Sequence, residues 1–274
     1  MSVDTQTDYW NRRAKYQFRY KGETFYTITP IPLYFYRRKR LLDFLAPLVD
    51  QPQTKAVCDF GCGDGWYIQF FDRRFPGKKW TGIDISQGML DQAIVRSPNA
   101  RFMLFPSENQ EDYLRQPDLA GAFDLVYSIA VFAHILNDAD FAGLFCGLAE
   151  TLSAGGKLVI FEQTGPRRVE GSSFCRRLSS DYKRIAESCG LVIQSSALIM
   201  FPAHVFFERR IAPKFYAYYA DSRENDFLAR MRANHNRLFR WLSRMAILFS
   251  PKSVWSDTGR LWGNSLIVFQ KPEN

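Results

Sequence analysis

Three glycines at alternate positions, Gly61, Gly63 and Gly65, follow a short β-type run from Ala56 to Phe60 and directly precede a helix-like run from Trp66 to Arg74. Glycine lets a backbone turn with φ > 0 and lets a ligand come to contact distance, and a helix start offers N–H groups without intrahelical partners. The turn is suited to holding a ligand. Spacing narrows the choice: Trp66 stands where a G-x-G-x-x-G dinucleotide turn has its third glycine, and no P-loop lysine follows. Nineteen residues after Gly65, a second strand-like run, Lys79 to Ile83, ends in Asp84. A carboxylate at a strand tip accepts hydrogen bonds from both hydroxyls of a ribose. The ligand predicted is an adenosine without a pyrophosphate.

Proton transfer needs a titratable group nearby, and the chain has three histidines. His134 lies just past the strand-like run Phe123 to Ser128, on the side where open α/β sheets place their ligand crevice. Its ordinary pKa suits proton abstraction near neutrality, although a histidine there also serves to bond backbone groups. Glu162, at the tip of the next strand, is expected to face an acceptor, and His204 opens a later insertion; both placements come from topology alone. No metal-ligand cluster accompanies them, so a metal-independent reaction is expected. The five cysteines, at 58, 62, 146, 175 and 189, form no C-x-x-C pair and are odd in number, which predicts neither a disulfide framework nor a zinc site.

The elements that must position these groups alternate strand and helix. Helices are predicted over Gln87 to Arg96, Ala139 to Leu152 and Ser173 to Ser188; strands over Arg101 to Leu104, Lys157 to Glu162, Leu191 to Phe201 and Ser265 to Phe269. Together with Asp59-Phe60-Gly61-Cys62-Gly63-Asp64-Gly65, the segments Gly82-Ile83-Asp84-Ile85-Ser86 with Met89-Leu90, Phe123 to Ser128, and Leu152-Ser153-Ala154-Gly155-Gly156 running to Ile160 make four motifs in order. In this the chain resembles the class I (Rossmann-like) S-adenosylmethionine-dependent methyltransferases, over roughly residues 50 to 200 plus the last strand.

The resemblance implies a doubly wound, mostly parallel seven-stranded sheet of the α/β class with S-adenosylmethionine as cofactor. It assigns cofactor binding to Asp59, Gly61, Cys62, Gly63, Gly65, Asp84, Ile85, Met89, Ser107, Glu108 and Ser128. The last part of that assignment departs from the family's common Asp-Ala pair beside the adenine, since Ser107-Glu108 stands there, and Ser107 also suits a plain helix N-cap. His134 matches the second histidine of a pair that many relatives carry after the fourth strand, which makes it the expected catalytic base. Relatives often fold an N-terminal helix over the cofactor, and Tyr9, Tyr16 and Arg40 are the residues here that would reach it. Residues 1–50 are therefore read as a helical lid, 51–201 as the cofactor-binding core, 202–262 as an insertion and 263–274 as the last strand of the core.

That insertion replaces the family's short hairpin and carries most of the chain's charge. Between Pro202 and Trp262 eleven cations face five acids, a net of +6 against +8 for the whole chain. From Asp226 to Phe249 apolar residues recur at helical spacing among arginines, the pattern of a basic amphipathic helix. Such a helix suits an anionic bilayer, a phosphate, a second subunit in a homo-oligomer, or simply a solvated cap. Peripheral membrane contact through 226–249 is one expectation. Nucleic acid loses ground as a partner, because no Asn-Pro-Pro-Tyr type motif follows the fourth strand. No run of eighteen uncharged apolar residues occurs and the first residues lack an apolar signal core, so a cytoplasmic protein is expected, with peripheral contact at the inner face of the membrane left open. His134, the insertion's aromatics (Tyr216, Tyr218, Tyr219, Trp241, Trp255, Trp262) and its arginines favour O-methylation of a saccharide, glycan or lipid-linked sugar. Methylation of another small molecule, RNA or protein, and a noncatalytic cofactor-binding module, stay open beside it.

Overall fold

The computed structural model of the 274-residue chain describes residues 3–15, 18–20, 23–25, 31–106, 108–171, 174–199, 207–219, 226–248, 254–256 and 263–273. Two compact units result: Met1–Lys15 with Ala46–Ile199 and Trp255–Asn274, and Tyr16–Leu45 with Met200–Val254. In chain order, helix α1 (Val3–Lys15) is followed by the hairpin β1 (Phe18–Tyr20) and β2 (Glu23–Phe25) and by helix α2 (Ile31–Val49).

The first unit is built on a sheet whose parallel strands are β3 (Ala56–Phe60), β4 (Lys79–Asp84), β5 (Arg101–Leu104), β6 (Phe123–Ile129) and β7 (Leu152–Thr164). Helices α3 (Trp66–Arg74), α4 (Gln87–Arg96), α5 (Gln110–Leu114) and α6 (Asp138–Glu150) connect them. Strands β3 and β6 are buried almost end to end, as both faces are covered by helices. A two-stranded ribbon, β8 (Val169–Glu170) with β9 (Cys175–Arg176), precedes helix α7 (Ser179–Ser188) and strand β10 (Val192–Ile199). The sheet order is β11-β10-β12-β7-β6-β3-β4-β5, with β11 at Val254–Ser256 and β12 at Gly263–Gln270. Strand β12 is antiparallel to both of its neighbours, β7 and β10. The seven expected strands are thus present, joined at one edge by the short β11.

Strand order reverses at β3, which has β4 on one side and β6 on the other. A ligand crevice opens at such a switch point, past the carboxyl ends of the strands. Caps place the helices that border it. Ser86 starts α4 by accepting the Met89 N–H, and Asn137 starts α6 by accepting the N–H groups of Ala139 and Asp140 at 2.7 and 3.2 Å. The core on the α6 and α7 side includes Phe132, Phe145, Leu148, Tyr182 and Phe269, all essentially inaccessible.

The second unit has a core of its own, in which Phe207, Ala212, Ala233, Phe239 and Ala246 are buried. Its helices span Ala212–Tyr219, Asp226–His235 and Arg237–Leu248. The continuous helix expected from 226 to 249 is therefore two, and the reason is local. Asn236 caps the second by accepting the Phe239 N–H at 3.1 Å, which favours a new start over continuation.

The cysteines correct a second expectation. Cys146 on α6 and Cys189 just after α7 form a disulfide across 43 residues, while Cys58, Cys62 and Cys175 are free and buried. An odd count excludes complete pairing, not a single bond, and two neighbouring crossover helices bring this pair together. Protein purified without reductant and then denatured is expected to titrate three thiols, and five after reduction; five without reduction would contradict the bond.

Candidate active site

The glycine turn after β3 is held in a left-handed backbone at all three positions, with φ of +80° at Gly61, +53° at Gly63 and +72° at Gly65. The N–H groups of Gly61 and Cys62 both reach the Ile83 carbonyl, at 2.7 and 3.1 Å. The three glycines serve different ends. A Cβ at Gly61 would lie 2.2 Å from Val131 Cγ2, and one at Gly65 would lie 2.9 Å from Ala93 Cβ, so both are needed for packing. A Cβ at Gly63 would meet nothing within 4 Å. Gly63 faces the open side of the turn.

Asp84, half-buried at the tip of β4, joins this turn to the next one. Its Oδ2 accepts the Gly63 N–H at 2.7 Å and its Oδ1 the Ser86 N–H at 2.9 Å. Burial pushes the carboxyl up to about 6, against the pull of those N–H groups. Each oxygen keeps a second acceptor direction. Asp64, in the same turn, is tied outward to Arg96 at 2.6 Å.

The other expected cofactor residues are placed unevenly. Ile85 is half-buried beside Asp84, while Met89 and Cys62 are buried, the Cys62 thiol standing 3.7 Å from the Gly63 carbonyl. Asp59 is buried, its carboxyl pushed well up by desolvation with the Tyr127 hydroxyl for a neighbour. Ser128 is buried at the end of β6, next to Phe60 in the ladder. Glu108 is exposed, and Ser107 lies outside the described residues.

Across the switch point, His134 ends a 3₁₀ turn, Phe132–His134, that follows Ala130 at φ +57°. This turn is gripped from inside by two buried ionisable side chains. Glu162 Oε1 accepts the Phe132 N–H at 2.7 Å, and the N–H groups of Val131 and Ala133 also point to the carboxylate. Arg177, 1% exposed, donates to the Phe132 carbonyl at 3.2 Å and to Asp138 Oδ1 at 2.9 and 3.2 Å, with its guanidinium 4.2 Å from the Phe141 ring centroid. Glu162 was expected to face an acceptor; it is instead buried and occupied with the turn, because β7 carries its tip residues under the His134 loop. His204 lies outside the described residues.

Helix α1 spans the outer side. Asn11 Oδ1 accepts the Ser86 hydroxyl at 2.7 Å and the Gly88 N–H at 3.4 Å. On the same helix, the neighbouring Trp10 packs edge-on to the His134 ring at 5.0 Å, and Gln6, five residues before Asn11, donates to the His134 carbonyl. One helix thus bridges the turn after β4 and the turn after β6. Of the N-terminal residues singled out in the sequence, Tyr9 is engaged with Arg13 at 3.3 Å, Arg40 pairs with Asp43 at 3.7 Å within the second unit, and Tyr16 lies outside the described residues. The contacts fall instead to Gln6, Trp10 and Asn11. Arg177 was hidden inside a stretch read as helix.

A doubly wound sheet with its glycine turn at the switch point defines the class of fold. A methyltransferase-domain family model matches residues 57–156 of the 274, and in that stretch the chain resembles the class I S-adenosylmethionine-dependent methyltransferases. It is 32% identical over 124 residues to the trans-aconitate 2-methyltransferase of Afipia carboxidovorans, covering 45% of this chain and 44% of that protein. It is 34% identical over 105 residues to the malonyl-[acyl-carrier protein] O-methyltransferase 1 of Ilyobacter polytropus, covering 37% and 35%. The match therefore spans less than half the length of these curated relatives. Among solved structures, the O-methyltransferase of a trans-AT PKS multienzyme of Brevibacillus brevis, solved with S-adenosyl-L-homocysteine, shares the fold with a TM-score of 0.60 over 89% of this chain and 78% of that one, at 14% identity. S-adenosylmethionine is the cofactor of this family. The site fits it: open space stands at Gly63, α3 begins without a side-chain cap, and Asp84 has acceptor directions to spare.

Two outcomes test the geometry. Gly61→Ala should cost about 2–4 kcal/mol in denaturant melts, since a left-handed alanine and a collision add, whereas Gly63→Ala should cost only about 1–2 kcal/mol; equal losses would contradict the difference in surroundings. Glu162 is raised from 4.5 to about 8, chiefly by burial. The folded protein therefore holds a proton that the unfolded chain releases, so this stabilisation is full below about pH 4.5 and is lost as pH rises through about 8. Glu162→Gln keeps an acceptor oxygen and should flatten that part of the stability slope between about pH 5 and 9.

Proposed function

We propose that this chain transfers the methyl group of S-adenosylmethionine to an oxygen of an acceptor held past the carboxyl ends of β3 and β6. The observation that carries the reading is the glycine turn that leaves Gly63 open and ties its N–H to Asp84 at 2.7 Å. In this proposal Gly61, Gly63 and Gly65 let the backbone approach the cofactor, and Asp84 accepts from its ribose. Ile85, Met89, Cys62, Asp59, Ser128, Ser107 and Glu108 complete the binding set. The bound cofactor supplies a methyl group already activated by a sulfonium.

The protein's share is then alignment and proton removal. Holding an acceptor in line is worth roughly 7–11 kcal/mol, and a placed base adds about 10²–10⁴-fold. His134 is the proposed base, accepting the acceptor's proton on a ring nitrogen. Its turn is fixed by Glu162 and Arg177 and its ring is packed by Trp10, which limits the freedom that would blur such a geometry.

For the acceptor we propose a small molecule, and more finely a hydroxyl of a saccharide, glycan or lipid-linked sugar. Exposed Tyr218 in the second unit supports it, as a flat ring that suits a sugar face. Tyr216 is partly buried against Phe239 with Arg230 over it, and the side chains of Tyr219, Trp255 and Trp262 lie outside the described residues. A lipid-linked acceptor would be met at a bilayer, and the basic stretch 226–249 supports peripheral contact there. Among the described residues no helix is long and apolar enough to cross a membrane.

Calorimetry with S-adenosylmethionine should give a binding heat that Asp84→Ala removes and Gly63→Ala weakens. His134→Ala should keep that heat and lower turnover about 10²–10⁴-fold. Absence of heat with the unaltered protein overturns the reading. In a panel with labelled cofactor, saccharides should take the label; label on trans-aconitate or malonyl-[acyl-carrier protein] alone would keep methyl transfer and remove the saccharide.

A further inference from the structure

We propose that the helix Arg237–Leu248 is an interfacial anchor whose outer face inserts into the surface of an anionic phospholipid bilayer. Its inner face is already used: Phe239, Ser243 and Ala246 are buried, with Phe239 packed against the rings of Phe207, Phe215 and Tyr216 at 5.1–5.8 Å. The outer face is not a solvated polar one. Leu238, Trp241 and Leu248 are 55%, 53% and 72% exposed, and Met245, partly exposed, completes the spacing i, i+3, i+7, i+10 that sets side chains in one row along a helix. Burying these groups in water-free surroundings is favourable.

Charge selects what covers the row. The helix has three arginines, at 237, 240 and 244, and no acid. Arg237 and Arg244 are exposed and flank the apolar row on one side, while Arg240 turns back to donate to the Asn234 carbonyl at 3.2 Å. The helix before it adds Arg230 and Arg232 against the single acid Asp226. A second copy of this chain would bring arginines onto arginines, whereas an anionic headgroup layer takes both features at once: cations at the phosphates, and leucine and tryptophan at the acyl boundary, the depth that tryptophan favours. A helix of 12 residues, about 18 Å long, lies along such a surface and does not cross it.

The inference deepens the reading of a lipid-linked acceptor, yet its test needs neither cofactor nor acceptor, so the two can fail separately. The full chain should co-sediment with phosphatidylcholine vesicles containing phosphatidylglycerol, weakly with phosphatidylcholine alone, and less as salt is raised. Arg237→Gln with Arg244→Gln should weaken partitioning about thirty-fold, and Trp241→Ser with Leu248→Ser more than tenfold. All four positions are exposed, and melting curves recorded beside the partitioning separate lost binding from lost folding. No co-sedimentation at low salt, or variants that bind as well as the unaltered chain, would overturn the proposal. So would a lipid-indifferent protein whose dimer, seen by sedimentation velocity, disappears in the Trp241 and Leu248 variant.

Discussion

The crevice depends on one carboxylate. Asp84 takes an N–H from the turn after β3 and another from the turn after β4, so two loops that could each drift are set against one point. A carboxylate surrounded this way is costly to desolvate, and the backbone donors offset that cost only while the turn keeps its left-handed glycines. The constraint extends outward. Ser86, placed by Asp84, caps α4 and donates to Asn11, and Asn11 fixes the helix that reaches the opposite rim. Removing any member loosens the next.

The opposite rim repeats the solution with different parts. Glu162 gathers the amides of residues 131–133 much as Asp84 gathers those of 63 and 86, and Arg177, paired with Asp138, adds a donor for the Phe132 carbonyl. Ala130 sits at φ +57°, where a residue with a side chain carries strain, and such strain persists only where neighbours overdetermine it. Both rims are thus built from backbone held by carboxyl groups, one half-buried at Asp84 and one buried at Glu162.

How much of this was legible in the sequence depended on the range of the signal. The glycine turn, the strand ending in Asp84, and α3 and α4 with their bounds follow from neighbours in the chain: a φ requirement, a cap at Ser86, a hydrophobic period. Interactions across the chain left no such trace. Trp10 meets His134 and Gln6 meets its carbonyl across more than a hundred residues, and neither side chain type announces the contact. Cys146 and Cys189 were masked by an odd count. Glu162 was read as the tip of a strand that runs on to Thr164, and its direction depended on a loop that Glu162 and Arg177 hold together. Asn236 carried a readable cap signal that the longer apolar period obscured.

Sheet order has a consequence for how the protein is made. Strand β12 lies between β7 and β10, pairing along eight residues with β7 and along most of its length with β10, yet it is the last of the three to leave the ribosome. Until residues 263–270 emerge, both partners present bare ladder edges while the basic helices of the second unit are already synthesised. Exposed edges of this kind invite pairing with other nascent chains. The sixty-odd residues between β10 and β12 thus set how long a nascent chain would leave those edges unpaired.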